Sequence, residues 1–598
     1  MRFVWAVVAF VLATVLIGLG IAQRTVFMGP SEQRMTLSVD DSSPYVMVDA
    51  DVLRAHPGLQ TLMVRDKGDI FVAYARTADM TAWLSDTAYD RVSLTKSHKP
   101  KTERIEAKQQ PADGGETSGR SPVGSDLWLD SFADKDALVA EMQLTKGNSV
   151  LIAKDGVKDA PTNILVSWPL DTRTPWAGPL ISLGGLLLAI GIVLYILGIR
   201  HQRRGRGPRR KGPGPLPETQ PITMPERAEI EHGTVENRAA RRAPRRLAIA
   251  VPALAVTALL ATGCTADSWP QFSAGTPTPT PTPTVVKPDN QKPPVITQKQ
   301  GQRIVGDIAK TLTKADTDLD AALAETRLSG AALAGRQTEY ELRSKIEDRK
   351  ATALLSPAGA VKILLPEATD SWPRTVLALT VAENDAKKPP VLLTMTQADP
   401  WANYRVTAMA DMPASSAFPD VAPAWLGTTR VPAESAFLSI PPSELAGAFS
   451  NFVDAGDKSE FVGRFDDLAT KAADSFRASR DAIVNGLKDA GAGTTSQATF
   501  AMAPSEYEPL SLATLNSGAV VSVSVIDTQQ VTPTSPDAVI KYDGNAEAKA
   551  LTGASEAAKG VETTYGIQLF FAVPAQGSNE QIRLLAYHQD LLSVKVIK

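Results

Sequence analysis

Few side chains in this sequence are spaced for catalysis, and the nearest approach to a catalytic pair lies close to the carboxyl terminus. His588 and Asp590 are two residues apart on a predicted strand, so both side chains would point to one face of a sheet. A carboxylate beside an imidazole can orient a general base. Because no serine or cysteine nucleophile lies on a strand-to-helix turn, the sequence favours a surface ion pair over a catalytic one.

Aromatic and basic side chains at strand edges are the second group of candidates. Trp372, Trp401 and Tyr404 are predicted at the edges of strands, where they could line a pocket for a glycan, a lipid or a peptide. The alternative is that they fill a core and a turn. Arg405 and Arg583 fall at equivalent places in two similar predicted hairpins. These five residues are the ligand-binding candidates.

The sequence contains no recognisable metal-binding or cofactor-binding motif. The five histidines are scattered, and the acidic run Asp316–Asp320 lacks the glycine turn and the terminal glutamate of a calcium loop. No glycine-rich phosphate loop or dinucleotide fingerprint is present. The sequence therefore predicts no catalytic residue, no metal site and no cofactor.

The elements that carry these residues are predicted from three apolar segments. Residues 1–23 and 176–199 are predicted as transmembrane helices 1 and 2, and 247–264 is a shorter third segment. The loop 200–246 holds thirteen Arg or Lys and five Glu, a net charge of +8, whereas the rest of the chain carries −11. Cationic loops stay on the cytoplasmic side. Residues 24–175 and the long carboxyl-terminal part are therefore predicted to be extracytoplasmic.

The basic loop is also a candidate contact for anionic lipid headgroups, because it follows directly on a membrane helix. Retention on the cytoplasmic side explains the same charges without any partner, and nucleic acid is not expected. The candidate lipid contacts are Arg203, Arg204, Arg206, Arg209, Arg210 and Lys211.

The third apolar segment has the layout of an export signal inside the chain. A basic flank precedes an apolar core that ends in Ala261-Thr262-Gly263-Cys264. This ending resembles the bacterial lipobox, although Leu260 lies one place too early and the motif is internal. The resemblance implies cleavage before Cys264 and acylation of its sulfur. The alternative is an uncut third transmembrane helix.

Two exported regions follow from these boundaries. Residues 24–175 show short β runs typical of an all-β sandwich, with a predicted disordered insertion at 96–125. Residues 265–299 contain alternating Thr-Pro and are predicted as an extended stalk. Modules 300–455 and 456–598 each begin with helices and end in antiparallel strands. Their order resembles the cystatin-like α+β fold and indicates a duplication.

As a whole, the chain resembles a family of actinobacterial multi-pass cell-envelope membrane proteins with an exported carboxyl-terminal domain. The residues 168–180 that lead into the second helix and the Thr-Pro stalk carry this resemblance. It implies location in the plasma membrane but no activity. We therefore expect a non-catalytic envelope protein that binds or scaffolds an exported protein, a wall polymer or a lipid. The alternatives are a hydrolase or transferase acting on wall glycans, and a signal relay through the basic loop.

Overall fold

The computed structural model divides into two units that are described separately. It describes residues 2–39, 43–108, 119–170, 174–204, 292–347, 349, 354–382, 385, 387–542 and 544–598. The first unit contains the two long apolar helices. The second combines Arg34–Ser167 with Val285–Lys598. The basic loop beyond 204, the third apolar segment, Cys264 and the Thr-Pro repeats lie outside the described residues.

The elements of the amino-terminal third alternate between strands and short helices, with a long helix at each end. In chain order they are α1 (Arg2–Thr25), β1 (Glu32–Leu37), β2 (Tyr45–Asp49), α2 (Ala50–Leu53), β3 (Gln60–Arg76), α3 (Thr77–Trp83), β4 (Tyr89–Leu94), β5 (Pro100–Ile105), β6 (Asp130–Met142), β7 (Asn148–Ala153), β8 (Asn163–Pro169) and α4 (Ala177–Arg204).

Helices α1 and α4 pack antiparallel to each other through small residues. They are called the hairpin here, although the strands β1–β8 lie between them in the sequence. The small residues recur every seven positions on both helices: Ala6, Ala13 and Gly20 on α1, and Ala177, Gly184, Gly191 and Gly198 on α4. A Cβ on Gly184 would lie 3.1 Å from the Ala13 carbonyl oxygen, and one on Gly20 would lie 3.2 Å from the Ala177 carbonyl oxygen. Glycine and alanine at a helix contact let two backbones approach closely.

Both hairpin helices are long and apolar enough to cross a membrane by length and composition, with a mean hydropathy of 2.6 in each. They begin and end within a few residues of the predicted boundaries. By this criterion alone, the two helices suggest a membrane association of the chain. The predicted third span lies outside the described part of the chain.

The strands between the two helices form one hydrogen-bonded sheet, here called the β-domain (residues 34–167). Its strand order is β1-β8-β3-β7-β2-β4-β5, and β6 pairs with β3. The prediction of a sandwich of two antiparallel sheets is therefore wrong in its connectivity. The 17-residue β3, which has a register shift between Arg65 and Asp69, pairs with three strands, and β2 runs parallel to β4.

Of two other predictions for this region, one is confirmed and the other is wrong in part. The short helix predicted near Asp79–Leu84 is confirmed as α3. The predicted disordered insertion at 96–125 is wrong for Pro100–Ile105, which forms strand β5 along β4. The charged residues of this segment are typical of a disordered region, but they also suit an edge strand, because an edge strand with exposed faces needs few apolar side chains.

The carboxyl-terminal domain (residues 292–598) has an α+β architecture. Its elements are α5 (Gln298–Asp318), α6 (Ala321–Glu325), α7 (Gly330–Lys345), β9 (Ala360–Pro366), β10 (Arg374–Val381), β11 (Val391–Gln397), β12 (Arg405–Asp411), α8 (Pro442–Ala455), the 3-10 turn Gly456–Lys458, α9 (Asp467–Asp489), β13 (Ser496–Pro504), β14 (Leu510–Ala513), β15 (Ala519–Pro533), β16 (Ile540–Lys541), α10 (Ala546–Thr552), β17 (Glu556–Ala557), β18 (Val561–Val573) and β19 (Arg583–Val596).

One antiparallel sheet runs through this whole domain. Its order is β13-β15-β18-β19-β12-β11-β10-β9, so the last strands of the two halves are neighbours at the centre. The only Cα pairing in register between β12 and β19 is Asp411 with Tyr587, and the Gln568 side chain accepts the Met409 N–H at 2.9 Å nearby. The strand pairing between the two halves is therefore short, but a buried apolar cluster that includes Leu377, Leu512 and Phe570 contains residues of both halves.

Helices cover one face of each half. The predicted apolar face of α5, Ile304, Val305, Ile308 and Leu312, is fully buried against β9–β12. Helices α8 and α9 pack against β15, β18 and β19 through a cluster that includes Phe449 and Phe571. Because α8 packs with the second half, the boundary between the halves precedes residue 442 rather than following 455. The chain from 292 onward also belongs to this domain, so the predicted stalk ends before 299.

Candidate functional site: a buried ionic interface and a polar groove

The aromatic candidates lie in an interface between the β-domain and the carboxyl-terminal domain. Trp372 and Trp401 are partly buried and pack against the β-domain core that contains Trp83 and Trp128. The Trp401 Nε1–H donates to the Trp83 carbonyl oxygen at 2.9 Å. Tyr404 is 1% exposed, and burial raises the pKa of its phenol. In this structure the three rings pack against protein, and none of them lines the two grooves described below.

The first ion pair of the interface joins Asp126 of the β-domain to Arg327 of the carboxyl-terminal domain. The Arg327 Nη1 lies 2.5 Å from Asp126 Oδ2, and the two side chains are 9% and 1% exposed. The Asp126 carboxylate also accepts the Tyr404 N–H at 2.9 Å, and the Asp126 N–H donates to Asn403 Oδ1 at 2.9 Å. A buried carboxylate with this many donors is fully paired only when the two domains are in contact.

The second ion pair joins Asp79, on α3, to Arg374, at the start of β10. The Arg374 Nη2 lies 2.6 Å from Asp79 Oδ1, and Arg374 is 1% exposed. Arg76 bonds the same carboxylate at 2.7 Å from its own domain, so one carboxylate serves two guanidinium groups. The Arg374 guanidinium also lies 3.7 Å from the centre of the Trp372 ring, within cation–π distance.

The first turn of α5 adds polar contacts to the same interface. Gln300 closes a capping box with Thr297, in which its Oε1 accepts the Thr297 N–H. Its Nε2 donates across the interface to the Asp126 carbonyl oxygen at 2.7 Å. A glutamate could accept the capping hydrogen bond but could not donate to Asp126. Glutamine at this position can therefore cap the helix and bond across the interface at the same time.

Further contacts lie at the rim. Lys299 pairs with Asp130 at 2.6 Å, with the lysine side chain 78% exposed. The Arg76 Nη1 donates to the Pro294 carbonyl oxygen at 3.2 Å, which holds the start of the carboxyl-terminal domain. Arg120 lies over the Trp401 ring at 5.0 Å from its centre. The aromatic core and the exposed, polar rim are those of interfaces between proteins, whereas the two buried aspartates are a departure, because such cores are usually depleted of acidic residues.

A groove of about 380 Å³ lies beside this interface, and the chain segment around Pro373 contributes to both. Pro373 lies in its wall, between the interface residues Trp372 and Arg374. A second groove of about 230 Å³ shares Tyr507 and its two glutamate neighbours. Hydroxyl groups line the larger groove: Ser329, Thr396, Thr407, Ser522 and Ser524. Its charged residues are Arg430, Glu506 and Glu508.

Tyr507 lies at the junction of the two grooves. Burial raises the pKa of its phenol, and the Glu506 carboxylate adds to the shift through its charge and a hydrogen bond. The opposite wall comes close at Gly330, where φ is +57° and a Cβ would lie 3.7 Å from the Tyr507 ring. The groove thus offers one aromatic ring, several hydroxyl groups and charges of both signs.

The remaining sequence candidates do not gather at this groove. Arg405 is exposed at the start of β12, and Arg583 donates to the Ala417 carbonyl oxygen at 3.0 Å. Since β12 and β19 run antiparallel through the Asp411–Tyr587 pair, the two arginines begin their strands at opposite ends. His588 Nε2 lies 3.1 Å from Asp590 Oδ1, and the Asp590 carboxylate also accepts a hydrogen bond from the Gln568 amide on the neighbouring strand β18.

The other candidate sites are outside the region where side chains are described. Helix α4 reaches Arg204, but the side chains of Arg203 and Arg204 are not described, and Arg206, Arg209, Arg210, Lys211 and Cys264 lie beyond it. Among the described residues, no group of three or more His, Cys, Asp or Glu side chains could hold a metal ion.

Sequence reasoning missed the residues that form the interface. Asp79, Asp126, Arg327 and Arg374 come from distant parts of the chain, so no spacing links them. A weak signal was available at Arg374, an arginine that opens the apolar run of β10 directly after Trp372-Pro373. A charge placed at the head of a buried strand calls for a partner.

Comparison with known proteins gives a family for the carboxyl-terminal domain. No curated protein and no solved structure matches the chain. A family model described as a domain of unknown function, DUF8094, matches residues 292–595, about half of the chain, and its limits agree with those of the carboxyl-terminal domain. The chain therefore belongs to the DUF8094 family.

Proposed function

We propose that this chain is a non-catalytic cell-envelope protein whose membrane-tethered exported domains bind or scaffold an envelope partner. The observation that carries the proposal is the buried ionic interface. It joins the DUF8094 domain to the β-domain, which lies in sequence between two apolar helices. In this proposal the DUF8094 domain is tethered to the membrane through the β-domain, whose chain continues at both ends into an apolar helix.

The location and topology are part of the proposal. The net charge of +8 on loop 200–246 supports a cytoplasmic loop, with both large domains outside the plasma membrane. Segment 247–264 then either crosses the membrane as a third helix or is cleaved before Cys264, which would become an acylated amino terminus. In both cases the DUF8094 domain is exported and tethered.

The proposed origin of the DUF8094 domain is a duplication of a cystatin-like module. Each half supplies helices followed by antiparallel strands, and the strand order reads the same from both edges of the sheet towards β12 and β19. This order is expected when two copies of a helix-plus-meander unit join through their last strands. A duplicated module of this kind creates a seam between the copies, and the groove around Tyr507 contains residues of both halves.

The groove is the proposed contact for the partner. Its hydroxyl groups, its tyrosine and its charges of both signs suit a polar, extended ligand, such as a segment of an exported protein or of a wall polymer. Pro373 connects the groove wall to the interface, so docking of the β-domain supports the shape of the groove.

An envelope glycan hydrolase is the second candidate, and one observation favours it. Glu506 and Glu508 line the same groove, and glycosidases use two carboxyl groups in one cleft. A general acid, however, needs burial to keep its proton at neutral pH, and both glutamate side chains are exposed. The binding function is therefore the better proposal.

A photo-crosslinking amino acid at Tyr507 tests the proposal in intact membranes. We expect one discrete crosslinked species at Tyr507, lost when Arg430→Ala changes the groove. The matched control at Leu515, which is 59% exposed and outside the groove, should not give it. Glycan cleavage by the purified full chain that is abolished by Glu506→Gln or Glu508→Gln would overturn the non-catalytic proposal. Absence of any species specific to Tyr507 would overturn the groove as the contact.

A further inference from the structure

The interface between the β-domain and the DUF8094 domain has the properties of an interface between separate proteins. Its two sides come from the β-domain (residues 34–167) and from the DUF8094 domain (residues 292–598), which are far apart in the sequence. The hydrogen bonds that cross it are as numerous as the ten or so of a typical protein–protein interface. Tryptophan and arginine, the residues most often dominant at such interfaces, lie at its centre.

We propose that this interface holds without the covalent connection, so that the β-domain with its two helices is a receptor for the DUF8094 domain. The occupant of the surface formed by Trp372, Arg374, Trp401 and Arg327 is then a β-domain, whether or not it belongs to the same polypeptide. A chain cut between residues 265 and 291 remains one complex, and its DUF8094 domain stays at the membrane without a membrane segment of its own.

The buried charges make the association of the β-domain with the DUF8094 domain specific. Asp126 and Arg327 are each at most 9% exposed in the assembled form, and the same holds for Asp79 and Arg374. Separation would return four charges to water but would also expose the aromatic side chains that now pack on the β-domain core. A surface that carries both fixed charges and large rings matches one complementary partner closely and rejects others, because each wrong partner leaves a charge unpaired.

Both sides also contribute backbone groups, which fixes the relative orientation. The Trp401 indole bonds the Trp83 carbonyl oxygen, Gln300 bonds the Asp126 carbonyl oxygen, and Asp126 accepts the Tyr404 N–H. Backbone donors and acceptors cannot change rotamer to suit another surface. The geometry therefore specifies one docked arrangement, which is a condition for assembly in trans.

The test uses the full chain with a specific protease site placed within Thr276–Thr284 and an affinity tag at the amino terminus. After purification in detergent micelles and cleavage, we expect the carboxyl-terminal fragment to remain bound to the tagged fragment at micromolar concentration and to co-elute in gel filtration. Arg327→Ala should weaken retention about 100-fold or more, because it leaves the Asp126 charge buried without its cation. Lys299→Ala, at the exposed rim of the same interface, should leave it within about 5-fold.

Two outcomes would overturn the inference. One is separation of the native fragments on cleavage while each keeps its circular dichroism spectrum. The other is equal retention of the native and Arg327→Ala fragments. If Arg327→Ala does not yield folded protein, Arg327→Lys keeps the charge but loses the planar fork, and intermediate retention is expected. Failure here would not affect the groove crosslinks at Tyr507, which are measured in the uncut chain.

Discussion

The α1–α4 helix contact and the contact between the β-domain and the DUF8094 domain are formed by residues of opposite kinds. The α1–α4 hairpin is held by alanine and glycine at seven-residue spacing, and its contact residues carry no charge. The interface of the β-domain with the DUF8094 domain is held by buried arginine–carboxylate pairs and tryptophan. The first depends on the absence of side-chain volume, and the second depends on the presence of a specific partner for each charge.

This difference determines how each contact fails. Adding atoms disrupts the hairpin, since two backbones cannot separate without losing their packing. Removing atoms disrupts the ionic interface, since a buried charge without its partner costs about 3–5 kcal/mol. Substitutions of both kinds, each with a matched control, can therefore break or sharpen the comparison.

The largest effect is expected from Arg327→Ala in the full chain. It leaves Asp126 buried with two hydrogen bonds fewer and no cation, and should destabilise the docked state by about 3–5 kcal/mol. Hydrogen exchange of the Tyr404 amide, which donates to Asp126, measures docking locally. Lys299→Ala removes an exposed pair of the same interface and should cost less than about 1 kcal/mol. Equal protection in both variants would contradict the ionic account.

A substitution in the hairpin comes next. The Cβ of Gly184→Leu would meet the Ala13 backbone, and the overpacking should cost about 1–3 kcal/mol. A disulfide between Ala9→Cys and Gly191→Cys, in a Cys264→Ala background, reports hairpin closure, because a Cβ on Gly191 lies 3.4 Å from the Ala9 Cβ. We expect Gly184→Leu to slow its formation about 10-fold. Gly18→Leu is the control, since nothing lies within 4 Å of a Cβ there. Equal rates in both would show that the small-residue spacing does not hold the hairpin.

A double substitution separates charge from hydrogen bonding at the interface. Asp126→Asn with Arg327→Gln removes both charges but keeps an acceptor for the Tyr404 N–H. Because no uncompensated charge stays buried, the pair should cost about 1–2 kcal/mol, less than Arg327→Ala alone. The same amide exchange measures it. A double variant as unstable as the single one would show that the attraction between the charges, and not their pairing requirement, dominates.

The smallest effect concerns the pH dependence of the half-buried Glu367, near Arg374. Burial raises the pKa of the Glu367 carboxyl, although the Thr375 N–H and two arginines oppose the shift. A raised native pKa means that the folded state binds the proton more tightly, so this group's contribution is full at low pH and is lost as pH rises through the native pKa. Glu367→Gln should therefore stabilise the chain slightly at pH 7 and leave stability unchanged near pH 3. Melting curves at both pH values check this, and destabilisation at pH 7 would contradict it.

The sequence was informative where a pattern repeats locally. The two apolar helices, the buried face of α5 and the strands of the DUF8094 domain follow from hydrophobic spacing within single elements. The seven-residue recurrence of Ala6, Ala13 and Gly20 was equally visible, although sequence reasoning did not use it. Such features depend on neighbours along the chain, so one sequence suffices to predict them.

The sequence was uninformative where the structure joins distant residues. Asp126 and Arg327 are 201 residues apart, and Asp79 and Arg374 are 295 apart. A charged residue in isolation is typical of a solvated surface, so neither partner signals burial. The same reasoning explains why the sequence leaves both a pocket and a core open for Trp372 and Trp401: an aromatic side chain at a strand edge looks the same whether a ligand or another domain covers it.

The central claim is that the β-domain and the DUF8094 domain form one fixed unit, and a distance measurement tests it most directly. Spin labels at Val139 and Val462, both exposed and one on each domain, can be placed in a Cys264→Ala chain. Pulsed electron paramagnetic resonance should give one narrow distance distribution, unchanged by Lys299→Ala and broadened by Arg327→Ala. A broad distribution in the otherwise native chain would contradict the claim.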